Sequence, residues 1–104
     1  MKKVGYTIKS IGNSFTHYNS DGNMTGYSVK ELFGSFMHFG SDAERTGSSK
    51  SMPLGGYFHY DINNTKTGYS TAAANGGYLH YNAEGVQTGY SVKTPDGGYV
   101  HYKI

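Results

Sequence analysis

Five histidines are the residues of this chain best suited to chemistry, because they recur every 21 residues without exception. A neutral imidazole can bind a metal ion, and a protonated imidazole can bind an anion. If the fold brings the five to one height around an axis, they form a ring-shaped site for either ligand. The alternative is that each imidazole packs on aromatic neighbours and donates a hydrogen bond to a turn carbonyl. The five are His17, His38, His59, His80 and His101.

Repeated tyrosines form the second candidate set. Tyrosine has a large rigid ring with one polar tip, which suits it to stacking on flat ligands and hydrogen-bonding their hydroxyls. The sequence therefore predicts a non-catalytic binding module for a small polar ligand, with a glycan first. The alternative is that the tyrosines pack between hairpins, while glycine lets neighbouring backbones approach closely. The candidate ligand-binding residues are Tyr6, Tyr18, Tyr27, Tyr60, Tyr69, Tyr81, Tyr90 and Tyr102.

Charged residues give weaker signals. Lys9, Lys30 and Lys93 occupy one column of the repeat and could attract phosphate at a rim, or could simply be solvated. The net charge of +2 is dispersed along the chain, so no nucleic-acid partner is expected. A purely structural or protein-interaction module is a further hypothesis, and self-association stays open.

Catalysis is not expected. A nucleophile needs an oriented base, and that base needs a third group, which is an asymmetric arrangement. Near-identical units offer five copies of one environment instead. The sequence therefore predicts no catalytic residues and no cofactor.

The histidines lie in segments that predict β-strands. Each segment reads aromatic, apolar, histidine, aromatic, as in Tyr78-Leu79-His80-Tyr81. A short polar turn such as Asn82-Ala83-Glu84-Gly85 follows, and a second strand then carries Thr88-Gly89-Tyr90-Ser91. Each unit is therefore predicted to be a β-hairpin. Its inward face cannot be chosen from the pattern, and the abundance of Tyr and Phe predicts an aromatic core.

The chain ends predict how the units assemble. Val4–Lys9 matches a second strand, whereas Gly97–Tyr102 is a first strand with no second strand after it. Pairing the two would complete a fifth hairpin and leave no open edge. An open stack of hairpins is the alternative.

The predicted fold is thus all-β: five 21-residue hairpins closed into a fivefold pseudo-symmetric ring or shallow barrel. It forms a single repeat domain, residues 1–104, with a second-strand half-repeat at 1–11 and a first-strand half-repeat at 96–104. Full units start near residues 12, 33, 54 and 75. The third unit departs most, because Ser48 replaces the tyrosine, Gly40 replaces the turn Asn or Asp, and Pro53 enters the connection.

These motifs resemble two families. The segment Gly76-Gly77-Tyr78-Leu79-His80-Tyr81-Asn82, followed by Gly85 and Thr88-Gly89-Tyr90, is similar to short bacterial tandem-repeat hairpin proteins of the Gly-Gly-Tyr-x-His-Tyr-Asp kind. That resemblance implies the shallow symmetric barrel described as a β-flower. More distantly, the unit resembles the choline- and glucan-binding repeats of bacterial surface proteins, with Tyr27, Tyr69 and Tyr90 where those repeats carry Trp.

Location is predicted from the N-terminus and from composition. Met1-Lys2-Lys3-Val4-Gly5-Tyr6 has the charge of a secretory leader, but polar residues follow where about 7 to 15 apolar residues would be needed. We therefore expect a cytoplasmic protein with no signal peptide and no transmembrane segment. The absence of cysteine is compatible with a reducing compartment.

Overall fold

The computed structural model describes residues 2–53, 55–74 and 76–104, and for Leu32 the backbone alone. Ten antiparallel strands close into a barrel. Its helical content within these residues is one short 3-10 turn, Leu32–Gly34, and no helix there could cross a membrane. The strands are β1 (Lys2–Lys9), β2 (Ser14–Asn19), β3 (Met24–Lys30), β4 (Phe36–Gly40), β5 (Arg45–Ser51), β6 (Gly56–Asp61), β7 (Lys66–Ala72), β8 (Tyr78–Asn82), β9 (Gln87–Lys93) and β10 (Tyr99–Lys103).

The predicted closure is confirmed. Strand β1 pairs antiparallel with β10 on one side and with β2 on the other, so neither chain end leaves an open edge. The barrel measures 30 × 29 × 21 Å and is therefore shallow. The predicted unit starts near residues 54 and 75 fall on Leu54 and Asn75, which lie outside the described residues, as does Met1 of the first half-repeat.

The turns within the hairpins are held by one side chain each. The Oδ1 atom of Asn82 accepts hydrogen bonds from the backbone N–H groups of Glu84 and Val86, both at 3.0 Å. The turn then needs a residue at positive φ, and Gly85 adopts φ 85°. In the second and third turns Ala43 and Asn64 adopt this conformation instead, at φ 69° and 66°, so glycine is preferred there but not required.

A bulge in every hairpin fixes the register. Within the hairpin of β4 and β5, His38 pairs with Gly47 while Phe39 pairs with Arg45, so Thr46 is the extra residue. An extra residue of this kind bends the strand and raises its local twist, which helps a short sheet to close. The bulge residues are Val4, Thr25, Thr46, Thr67 and Thr88.

The glycine of each Thr-Gly segment is fixed by close approach of the next strand. A Cβ atom at Gly68 would lie 2.2 Å from the carbonyl oxygen of Tyr81, which no real Cβ can do. The same contact recurs at Gly5, Gly26, Gly47 and Gly89 at 2.2 to 2.3 Å. The expectation that glycine permits close backbone approach is therefore confirmed.

The aromatic core expected from composition is not found. None of the apolar side chains among the described residues is fully buried, and the buried polar side chains are five hydroxyls. The aromatic rings instead form an inner wall around an open cavity and a layer on the outside, and both remain partly exposed. The buried hydroxyl residues are Thr7, Ser28, Ser49, Ser70 and Ser91.

Candidate functional site

The five histidines lie at one height inside the barrel and form a continuous belt with the five buried hydroxyls. The Oγ atom of Ser49 is hydrogen bonded to Nε2 of His38 at 2.6 Å and to Nδ1 of His59 at 2.7 Å. The same two contacts recur at Ser28, Ser70 and Ser91, and Thr7 joins His17 to His101 across the closure. Ten hydrogen bonds of 2.5 to 2.8 Å thus close a ring, which we call the His/hydroxyl belt.

Strand register explains why the belt forms. His38 lies directly opposite Ser28 on the neighbouring hairpin, and its Nδ1 is hydrogen bonded to that hydroxyl. Within its own hairpin, His38 lies opposite Gly47, which has no side chain. The imidazole can therefore reach past Gly47 to the next inward residue, Ser49. The glycine column serves both the close strand approach and the belt.

The belt holds one proton for every hydrogen bond. Five hydroxyls and five neutral imidazoles supply ten protons in all, which is the number of bonds. Every bond is satisfied only if all hydrogen bonds run in the same direction around the ring. Each imidazole N–H then donates to one hydroxyl, and each hydroxyl donates to the bare nitrogen of the next imidazole. All five histidines must therefore share one tautomer.

Burial keeps the imidazoles neutral. Loss of solvation, followed by the charge of the neighbouring His38 and His80, lowers the pKa of His59 to about 4. Burial, followed by the charge of neighbouring histidines, likewise lowers the pKa of His17 and His101 to about 4. Burial also lowers the pKa of His38 and His80. At neutral pH the belt therefore carries no charge.

This arrangement leaves little for a metal or an anion. Both ring nitrogens of every histidine are already hydrogen bonded, and no cluster of His, Asp or Glu in the described residues is arranged to hold a metal ion. The His80 and His101 ring centroids lie 6.3 Å apart. An ion on the axis of such a ring would be about 5 Å from each centroid, whereas Zn–N bonds are about 2.0 to 2.1 Å. An anion would meet neutral rings.

An open cavity lies above the belt. It has a volume of about 310 Å³ and is lined by the belt, by five inward aromatic rings and by Lys30. Neighbouring rings meet edge-on or tilted, with centroids 5.4 to 5.8 Å apart. The inner aromatic ring consists of Phe15, Phe36, Tyr57, Tyr78 and Tyr99.

The inner aromatic ring has a polar side and an apolar side. Tyr57, Tyr78 and Tyr99 follow one another around the barrel and carry hydroxyls, whereas Phe15 and Phe36 carry none. Burial first, then the neighbouring Tyr78, raises the pKa of Tyr57 and of Tyr99 to about 12. The phenols of Tyr57 and Tyr99 therefore remain protonated and able to donate hydrogen bonds at any ordinary pH.

The tyrosines predicted to bind ligand lie on the outer face of the barrel. Each stacks on an aromatic residue of the next hairpin, with centroids 4.9 to 5.0 Å apart and planes within 15°. Tyr60 is the exception, because its cross-strand partner is Ser48. The stacked pairs are Tyr6–Tyr18, Tyr27–Phe39, Tyr69–Tyr81 and Tyr90–Tyr102. These contacts fit the alternative in which tyrosine packs between hairpins.

Sequence reasoning missed both the hydroxyl partners of the histidines and the inner aromatic ring. The alternative in which each imidazole packs on aromatic neighbours named a turn carbonyl as its partner, but the partners are Thr7 and the four serines. The signal was the serine that ends every Thr-Gly-Tyr-Ser copy, since it survives in Ser49 even where the tyrosine is lost. The inner ring was signalled by alternation, because Tyr78 and His80 must share a strand face.

A second recess lies on the outside, at the seam where the chain ends meet. It has a volume of about 510 Å³, and its lining includes Lys3, Tyr6, Pro95 and Asp96. It draws on β1, β10 and one connection, so it occurs once, and Thr7 and Tyr99 are the repeated inward positions in its lining. The axial cavity is therefore the better candidate for a site that the repeat was built to form.

Comparison with known proteins adds no identity. No protein-family model and no curated protein matches the chain. The resemblance to β-flower-like hairpin repeats therefore stays a hypothesis based on sequence motifs.

Proposed function

We propose that this protein is a non-catalytic binding module that takes one small polar ligand, with a single sugar unit of a glycan first, in the axial cavity. The observation that carries the proposal is the cavity itself, which is walled by five aromatic rings and floored by the His/hydroxyl belt. Its volume of about 310 Å³ is at the lower end of the range for small-molecule sites, roughly 300 to 1,000 Å³. A monosaccharide is a suitable size for such a space.

The lining supports a hydroxylated ring. A pyranose has C–H groups that pack on aromatic faces and hydroxyls that need hydrogen-bond partners. Phe15 and Phe36 offer the first kind of contact, and the phenol hydroxyls of Tyr57, Tyr78 and Tyr99 offer the second. The two sides of the inner aromatic ring would therefore orient the ligand. Lys30 adds one cationic donor at the lining, which favours a ligand with an acceptor on that side.

The belt supports binding rather than catalysis. A general base must present a free nitrogen to the substrate, within about 2.6 to 3.2 Å of the proton it removes. In the belt both nitrogens of each imidazole already have hydroxyl partners. The belt is thus a rigid, neutral floor that holds the five strand pairs at one spacing.

The direct test is a titration of the full chain with glucose, galactose and N-acetylglucosamine, followed by two-dimensional NMR of the backbone amides. We expect one site per chain, with the largest shifts at Tyr57, Tyr78 and Lys30. The variant Tyr78→Phe keeps the ring and removes the hydroxyl, and should weaken binding by about tenfold, the equivalent of one hydrogen bond of about 1.4 kcal/mol. The matched control is Tyr81→Phe on the outward face of the same strand, which should bind as the native chain does.

Two outcomes would contradict the proposal. One is that no sugar of the panel shifts any resonance when it is added at about 50 times the concentration of the chain. At usual NMR concentrations, such an excess detects even millimolar affinity. The other is that shifts map to the stacked outer tyrosines and respond equally to Tyr81→Phe. The second result would move the ligand to the outer face, with several equivalent weak sites instead of one.

A further inference from the structure

The outer face of the barrel contains one incomplete copy of a repeated contact. In four places an aromatic residue of one hairpin stacks on an aromatic residue of the next, with centroids 4.9 to 5.0 Å apart. In the fifth place Ser48 lies opposite Tyr60, so one of the two rings is missing. Tyr60 is only partly covered there and presents a ring face where the other copies have a second ring.

A lysine accompanies the missing ring. The Nζ atom of Lys50 lies over the Tyr60 ring, 5.4 Å from its centroid. The matching position in the other four units is uncharged, since it holds Ile8, Val29, Thr71 and Val92. The loss of the ring and the gain of the charge therefore occur together in one unit. We call the space bounded by Ser48, Lys50 and Tyr60 the Ser48 slot.

The surroundings of the Ser48 slot are positively charged. On the next strand, Nζ of Lys66 lies 4.4 Å from the Phe58 ring centroid and 5.4 Å from that of Tyr69. Strands β5, β6 and β7 carry one acidic residue, Asp61, and its carboxylate already accepts the turn N–H groups of Asn63 and Thr65. An anion at this face would meet two ammonium groups and no free carboxylate from these three strands.

We propose that the Ser48 slot is a second binding site, which takes a planar aromatic ring that carries an anionic group. The incoming ring would stack on Tyr60 in the position that an aromatic side chain occupies in the other four units. A cation–π contact at an exposed site is weak. Lys50 can therefore leave the Tyr60 face and pair with the anionic group of the ligand. The Ser48 hydroxyl is free of any hydrogen bond recorded within the described residues and can serve the ligand's edge.

Three probes separate the parts of this proposal: adenosine 5′-monophosphate has a flat ring and an anion, adenosine has the ring alone, and inorganic phosphate has the anion alone. Amide NMR of the full chain should show the monophosphate shifting β5 and β6 around Ser48 and Tyr60. Adenosine lacks the anionic group, and phosphate lacks the flat ring. Each should therefore bind at least about tenfold more weakly than the monophosphate, which corresponds to about 1.4 kcal/mol.

Variants give the sharper test. Ser48→Tyr supplies the missing ring and should abolish monophosphate binding, and the fold should accept it because the other four units have tyrosine there. Lys50→Ala should weaken binding by about twofold to fivefold, the usual range for one exposed ion pair. The matched control is Lys3→Ala. Lys3 lies 5.5 Å over the Tyr6 ring, but there the stack with Tyr18 is complete.

Several results would overturn the proposal. Unchanged monophosphate affinity in a folded Ser48→Tyr chain would do so, as would equal losses in Lys50→Ala and Lys3→Ala. Equal binding of adenosine and its monophosphate would remove the anionic requirement. Shifts confined to Lys30 and Tyr78 would assign the probe to the axial cavity instead. The proposal is independent of the sugar site, since Tyr78→Phe should leave monophosphate binding unchanged.

Discussion

The Ser49 hydroxyl lies 2.7 Å from Nδ1 of His59, and the barrel wall shields Ser49 from bulk water. The same hydroxyl also contacts His38, so one small side chain joins two hairpins. Because Ser49 is 2% exposed, water cannot take its place without the structure opening. The belt hydroxyls are thus the most buried polar side chains of the described residues, and the integrity of the belt is expected to determine stability.

Removing one belt hydroxyl should therefore be costly. The change Ser49→Ala leaves one imidazole N–H and one bare imidazole nitrogen without partners, and each buried unsatisfied group costs about 1 to 3 kcal/mol. We expect a loss of roughly 2 to 5 kcal/mol in the free energy of unfolding, measured by urea titration. Ser49→Thr keeps the hydroxyl, as native Thr7 does, and should cost far less. Ser48→Ala, one residue away on the outer face, should stay within about 0.5 kcal/mol, and a similar loss there would argue against a special role for the belt.

Acid should destabilise the protein before the carboxylates titrate. The folded-state pKa of His17, His59 and His101 is about 4, below the ordinary value of 6.5. Unfolding therefore takes up protons between these two pH values. The unfolded state is stabilised by this proton binding, so the free energy of unfolding falls as pH drops through this window. Each histidine contributes a slope of about 1.4 kcal/mol per pH unit there. Urea titrations from pH 8 to pH 5 should show the loss, and a flat profile down to pH 5 would contradict a neutral buried belt.

Some features of the barrel are predictable from the sequence, and others are not. Closure was predictable because Val4–Lys9 and Gly97–Tyr102 are complementary half-units, and the structure pairs them. The inward face was not predictable, since Tyr78 points inward and Tyr81 outward with the same residue type on both faces. Alternation of hydropathy along the strand therefore does not distinguish the inward face from the outward face. The belt depends on which strands are neighbours and on the bulge at Thr46, and neither can be deduced from spacing alone.

The glycine column gives a prediction about sterics. Gly68→Ala places a Cβ 2.2 Å from the Tyr81 carbonyl oxygen, and a backbone atom cannot move aside as a flexible side chain can. We expect a loss of more than about 3 kcal/mol, the upper part of the range for overpacking. Gly12→Ala is the matched comparison. Gly12 has positive φ but nothing within 4 Å of its Cβ position, so only backbone strain of about 1 to 2 kcal/mol is expected. Equal losses in the two variants, measured by urea unfolding, would contradict the close approach of the strands.

Completing the fifth aromatic pair should stabilise the barrel. Ser48→Tyr creates a stacked contact with Tyr60 like the four present elsewhere, and such pairs contribute about 0.5 to 1.5 kcal/mol beyond burial. Thermal unfolding should show a raised midpoint. The reverse change, Tyr27→Ser, removes the stack with Phe39 and should lower it. A lower midpoint for Ser48→Tyr would indicate that the outer face cannot accept a fifth pair.

The most direct test of the closed His/hydroxyl belt is an NMR spectrum of the imidazole nitrogens of the full chain, labelled with nitrogen-15, at pH 7.5. A closed belt with all hydrogen bonds in one direction requires that His17, His38, His59, His80 and His101 be neutral and share one tautomer. We expect five histidines with the same pattern of nitrogen shifts and no imidazolium signal. A protonated ring, or different tautomers among the five, would contradict the closed belt.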